Sequence, residues 1–134
     1  DSVRARFQQN FAAGFCDDAQ TKETIAKLWN EKHYLVDPHS AVAFHVLEEY
    51  RRESGDETPA IVVSTASPFK FCADVLDALG EQEIAQGTAV IDQLTEKTGV
   101  PAPAPLAALK HFQPRAAKVA DREAMETAVL DFLK

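Results

Sequence analysis

Five glycines are scattered through 134 residues, and none of them cluster. A chain this poor in glycine has no Gly-rich loop whose backbone N–H groups could cradle a phosphate. The two cysteines, Cys16 and Cys72, stand far apart and form no CxxC pair, which excludes a disulfide framework or a zinc ribbon. Both lie beside apolar residues and read as buried free thiols, the usual state in a cytoplasmic compartment. A cysteine nucleophile paired with His33, His39, His45 or His111 has composition alone behind it. Basic residues are in the minority, 14 against 21 acidic, for a formal net charge of −7. That balance argues against a nucleic-acid backbone or an anionic membrane as the main partner. No apolar run approaches the roughly 20 residues of a membrane span, and no signal peptide is visible. The chain starts at Asp1 rather than Met, which we read as a trimmed or processed amino terminus. Internal repeats are also missing. What is present, 46% hydrophobic and 26% charged residues, is the composition of one globular domain of useful core size.

Periodicity organises most of the chain into helices. Val3, Phe7 and Phe11 share one face of a helix expected over 2–13, with Gly14 as its stop. Asp17-Asp18 reads as a turn or cap before a second helix over 21–31, whose stripe is Ile25, Leu28 and Trp29. Asp37 is a natural N-cap with Pro38 at the first helical position. The helix it starts runs towards Arg52, with Ala41, Val42, Val46, Leu47 and Tyr50 inward. The small residues Ser40, Ala41 and Ala43 allow its first turns to approach another backbone. Residues 51–59 form a charged loop, and 81–86 a short helical turn. Thr88 caps a helix with stripe Val90, Ile91 and Leu94, and Gly99 ends it. Pro101, Pro103 and Pro105 impose an extended connector on 100–105. Pro105 can open a short helix through Leu106 and Leu109, and Pro114 closes that region. Asp121 caps a last helix that turns Met125, Val129, Phe132 and Leu133 inward.

The centre of the chain is AIVVSTASPFKF, residues 60–71. Ile61, Val62 and Val63 form a β-branched run suited to a strand buried on both faces. A polar loop, Ser64-Thr65-Ala66-Ser67-Pro68, separates it from a helical pattern at Phe69, Cys72, Ala73, Leu76 and Leu79. Tyr34-Leu35-Val36 is a second short strand ahead of the Asp37 helix. Two βα units in succession predict an α/β fold, helix-rich, with two short parallel strands joined by right-handed crossovers. Two strands do not make a stable sheet. Either helices cover both edges, or the chain, one domain over 1–134, holds part of an incomplete open three-layer α/β sheet whose other strands belong to sequence absent here. In such sheets ligands sit beyond the carboxyl ends of strands, so Ser64, Thr65 and Ser67 are the candidate ligand contacts; the competing reading is that they only cap the next helix.

Two motifs, in order, carry a resemblance. Residues 34–43 read YLVDPHSAVA and residues 64–71 read STASPFKF. Together they resemble the carboxyl-terminal part of threonine synthase, a fold-type II pyridoxal-phosphate enzyme whose members carry segments like YLxDPHTAVA and then STAHPAKF. Ser67 and Phe69 depart from that pattern, standing where a histidine and a small residue are usual.

The resemblance implies that O-phospho-L-homoserine and water are converted to L-threonine and phosphate. It implies pyridoxal 5'-phosphate as cofactor, an electron sink for the carbanion formed as protons leave the substrate. It places Thr65 beside the pyridine nitrogen, where a hydroxyl can donate to or accept from that atom, with Ser64 as its neighbour. Asp37, His39 and Ser67 follow as near-site residues. The Schiff-base lysine and the phosphate loop belong to upstream segments that this chain lacks; Lys70, two residues into a helix, reads as a structural or surface charge. Hence the expectation is a carboxyl-terminal fragment with no catalytic residue or metal of its own, inactive alone and prone to self-associate through an open edge or apolar face. Another pyridoxal-phosphate lyase of the same fold, or a non-catalytic helical interaction domain, are the alternatives.

Overall fold

A computed structural model describes residues 2–112 and 119–133. The expected end at Pro114 lies outside the described residues. Helices α1 (Ser2–Gln8), α2 (Asp18–Lys32), α3 (Pro38–Ser54), α4 (Cys72–Ala78), α5 (Ala89–Thr98), α6 (Ala104–Ala107) and α7 (Met125–Phe132) follow in order. Single 3-10 turns cover Pro68–Lys70, Ala108–His111 and Arg122–Ala124.

No strand or sheet occurs among the described residues, so the α/β expectation is corrected to a helical fold. The physical reason is pairing. A strand exists through hydrogen bonds to a neighbour, and neither 34–36 nor 61–63 has one. Ile61 and Val63 are 92% and 70% exposed, the opposite of a strand buried on both faces. Residues 34–36 are instead the link between α2 and α3, with Val36 buried under the helices.

Local chemistry sets the helix ends. Asp17 caps α2, accepting from the Gln20 N–H at 2.8 Å while Gln20 Oε1 accepts from the Asp17 N–H at 3.0 Å. His33 closes α2 in the left-handed region at φ 51°, its N–H bonded to Trp29 O. Gly99 closes α5 at φ 70°, as its position after the stripe implies. Thr88 and Asp121, read as caps, make no side-chain cap bond. Helix α1 stops five residues short of the expected end, and 81–86 form bends rather than a helical turn.

The core lies where α2 meets α3 and α4, and where α4 meets α5. Ile25 of α2, Ala41 of α3, Val75 and Leu76 of α4, and Leu94 of α5 are at most 1% exposed. Phe69 and Cys72 extend this core to the turn before α4. Burying each such aliphatic side chain contributes about 1.5–3 kcal/mol. The two ends of the chain stand outside it. Met125, Val129, Phe132 and Leu133, expected inward, are all exposed, as are Val3, Phe7 and Phe11. An amphipathic period makes a stripe; only a facing surface buries it. No helix among the described residues is long and apolar enough to cross a membrane.

Candidate functional site

The DPHS segment is built around a buried carboxylate. Asp37 is 1% exposed and stands at the N-cap of the 17-residue α3. Its Oδ1 accepts from the backbone N–H of His39 at 3.0 Å and of Ser40 at 3.3 Å. Its Oδ2 accepts from the buried Ser40 hydroxyl at 2.5 Å. An unpaired buried charge is costly, so this one is compensated by three donors and by the positive end of the helix dipole. Pro38 at the first helical position removes an N–H that would otherwise lack a partner.

His39 is the outward face of the same arrangement. Its side chain is 63% exposed, with Nδ1 3.3 Å from Asp37 Oδ1. Its ring lies 5.0 Å from that of Phe71, tilted by 52°. A local and a sequence-distant partner therefore orient this imidazole: the Asp37 carboxylate lies beside Nδ1, and Phe71 lies beside the ring. His39 also lines a cleft of about 260 Å³ between α2, α3 and α4. Ile25, Pro38 and Phe71 form its apolar part, and Asp18, Thr21, Lys22, His39 and Asp74 its polar part. Lys22 is bound to Asp77 at 2.6 Å, and that hydrogen bond holds the ammonium above its usual range.

The STASP segment follows a different plan. Ser67 caps the turn Pro68–Lys70, its hydroxyl accepting from the Phe69 N–H at 3.3 Å. The capping reading thus applies to Ser67. It does not apply to its neighbours: Ser64 donates only to Ala66 O at 3.4 Å, and Thr65 is exposed with no side-chain hydrogen bond among the described residues. Phe69 and Cys72 pin the loop to the core, and the Cys72 thiol donates to Phe69 O at 3.1 Å. Burial pushes that thiol up from its ordinary value, which disfavours the thiolate, and the side chain packs in the core. Lys70 is exposed on the same turn.

Asp37 and His39 are thus brought together, while Ser64 and Thr65 neither touch that pair through a hydrogen bond nor line its cleft. Two members of the arrangement were not singled out by sequence. The sequence gives Ser40 a role only through its small size, and its bond to the Asp37 carboxylate emerges from the structure. Phe71 carried no local signal, since its contact with His39 is tertiary. Among the described residues no group of three or more His, Cys, Asp or Glu side chains is placed to hold a metal ion.

Comparison with known proteins gives the STASPFKF segment a context. Residues 40–129 match the family model described as threonine synthase, C-terminal. Threonine synthase of Corynebacterium glutamicum is 37% identical over 78 residues, which are 58% of this chain and 16% of that protein. Threonine synthase-like 1 of Mus musculus is 33% identical over 81 residues, 60% of this chain and 10% of that protein. Threonine synthase of Saccharomyces cerevisiae is 36% identical over 76 residues, 53% of this chain and 15% of that protein. The chain therefore spans only 10–16% of the length of these relatives. The family match covers about two thirds of the chain and includes the whole STASPFKF segment, so the chain belongs to the threonine synthase C-terminal family.

Proposed function

We propose that this chain acts as the carboxyl-terminal portion, a single domain, of a threonine synthase that converts O-phospho-L-homoserine and water to L-threonine and phosphate. The observation that carries the reading is the family match over 40–129, which runs through the unpartnered Thr65 hydroxyl. Pyridoxal 5'-phosphate is the cofactor of this proposal, and when bound it supplies an electron sink for the substrate carbanion.

The residues present fit that group in part. Thr65 offers an exposed hydroxyl free of other bonds, suited to its ring nitrogen, with the Ser64 hydroxyl next to it. The rigid turn Pro68–Lys70 and the buried Phe69 fix where that loop leaves the core. The rest does not fit. Gly55, Gly80, Gly87 and Gly99 take positive φ at scattered turns, so no glycine cradle for a phosphate forms among the described residues. Lys22, Lys27, Lys97 and Lys110 are each paired with a carboxylate. In this reading the cofactor's phosphate and its lysine are held by polypeptide outside the chain, and the chain by itself is inactive.

The chain's own contribution is then positional. Asp37 and Ser40 lock the first turn of α3, Phe71 and Asp37 hold His39, and the Thr65 loop is set by the Ser67 cap. A chimera tests this. The matching segment of the Corynebacterium glutamicum enzyme is replaced by this chain, and phosphate release from O-phosphohomoserine is followed. Retained activity, reduced about tenfold or more in kcat by Thr65→Val, is the expected result. A folded chimera with no activity, or one indifferent to Thr65→Val, refutes the reading. Incubating the chain alone with pyridoxal phosphate and borohydride should trap no stoichiometric adduct; one at Lys70 would overturn the inactive-fragment assignment.

A further inference from the structure

The two motif segments meet at a pair of rings. His39 stands in the first turn of α3, while Phe71 closes the turn Pro68–Lys70 and opens α4. Their ring centroids lie 5.0 Å apart. The His39 side is anchored locally: Nδ1 stands 3.3 Å from Oδ1 of Asp37, whose side chain is buried and holds three further donors. The Phe71 side is a junction of two backbone elements. Its N–H donates to Pro68 O at 2.9 Å, closing the turn, and its carbonyl accepts from the Val75 N–H at 3.0 Å, starting α4. Among the described residues no side-chain capping bond secures that junction. At the other end of the turn the Ser67 hydroxyl accepts from the Phe69 N–H. Thr65 lies two residues before that cap, with no side-chain hydrogen bond of its own among the described residues.

We propose that His39 is a positioning residue: its ring against Phe71 braces the far end of the turn, and the turn carries that constraint to the Thr65 hydroxyl. This rests on the function proposed above, in which Thr65 is the working group, and makes that group depend on the other motif segment. The reason lies in the number of anchors. Phe69, 4% exposed, fixes the middle of the turn in the core. One anchor fixes a point and leaves rotation about it free; a second, away from the first, removes the rotation. Phe71 is that second point, packed partly on the core and partly on His39. Without the imidazole, the backbone bonds from Lys70 N–H to Ser67 O and from Phe71 N–H to Pro68 O lose part of their support. A displacement of about 1 Å there misplaces a hydroxyl that has to meet a partner atom within hydrogen-bond reach. A ring pair contributes a factor of about two to ten, which sets the size of the effect.

The His39 side chain is 63% exposed, so its variants leave the core intact. In the chimera described above, His39→Ala should lower kcat about two- to tenfold and leave KM for O-phosphohomoserine within about twofold. His39→Phe keeps a ring against Phe71 and should recover most of the loss. With Thr65→Val already present, His39→Ala should lower kcat by less than about twofold, because the hydroxyl that it positions is gone. A second arm uses the chain alone and needs no activity. Hydrogen exchange at the Lys70 and Phe71 amides should speed up about two- to tenfold in His39→Ala. The Gly99 amide, bonded to Thr95 O at 2.7 Å at the end of α5, should keep its rate. Full multiplication of the His39→Ala and Thr65→Val effects, failure of His39→Phe to recover kcat, or unchanged exchange at Lys70 and Phe71 would each overturn the proposal. A chimera that is inactive or indifferent to Thr65→Val refutes the catalytic reading instead, and the exchange arm then decides the brace on its own.

Discussion

Replacing Asp37 by alanine should destabilise the chain by about 1.5–5 kcal/mol, and the sum is assembled from the geometry. Loss of an aspartate N-cap costs about 0.5–2 kcal/mol. The Ser40 hydroxyl, 1% exposed, then loses its acceptor at 2.5 Å, a buried-polar penalty of about 1–3 kcal/mol. Asp37→Asn keeps the volume and one accepting oxygen, and its amide can donate to Ser40 Oγ. It loses the charge at the helix N-terminus, about 0.3–1 kcal/mol, and should cost roughly 1 kcal/mol. In Asp37→Ala with Ser40→Ala the orphaned hydroxyl is gone, so the pair should cost at least about 1 kcal/mol less than the sum of the single changes. Urea unfolding followed by circular dichroism reads all four. With m of about 2 kcal/mol/M, Asp37→Ala should move the midpoint down by about 0.8–2.5 M, with m unchanged. If Asp37→Ala lies within about 0.5 kcal/mol of the parent, or costs no more than Asp37→Asn, the carboxylate is not the keystone of α3 and the argument fails.

Leu76→Ala removes a side chain that is 0% exposed in the α4 core, and should cost about 2–5 kcal/mol in the same assay; a loss under about 1 kcal/mol would mean α4 is not packed as described. Gly99→Ala meets no atom within 4 Å of the added Cβ, so its cost, about 1 kcal/mol, should come from the φ of +70° alone and be reproduced by Gly99→Ser but largely avoided by Gly99→Asn. A thiol reagent should modify the half-buried Cys16 well before the buried Cys72, whose ionisation burial suppresses; equal rates at the two sites would contradict the core assignment. Asp56 is held below its ordinary 3.8 by hydrogen bonds from Thr58 and Tyr50. Its folded form thus binds fewer protons than the unfolded chain near pH 4. The stability it contributes is full above the unfolded value and is lost as pH falls through the folded one. Asp56→Asn should therefore flatten the acid limb of the Tm–pH curve, and an unchanged limb would refute the assignment.

The helical part of this fold was legible because its signals are local. An aspartate cap, a proline at the first turn, a glycine at the end and a period near 3.6 act within one or two turns, so Asp37, Pro38 and Gly99 do the same work in the structure that they imply in the sequence. The candidate site was legible in two halves. The motif residues around 37–40 and 64–67 could be named, but the contact that orients His39 comes from Phe71, and no spacing rule reaches across that interval.

Composition, caps and periodicity by themselves determined that this is an acidic, helix-rich chain and where its principal helices begin. Only the tertiary structure decided which apolar stretches are inside. Ile61, Val63, Phe132 and Leu76 are equally hydrophobic as text, yet the first three face solvent and the last is sealed. The reason is that a strand or a buried stripe is a relation between two segments: without a hydrogen-bonding neighbour or a facing surface, the same residues remain open, whatever their intrinsic preference.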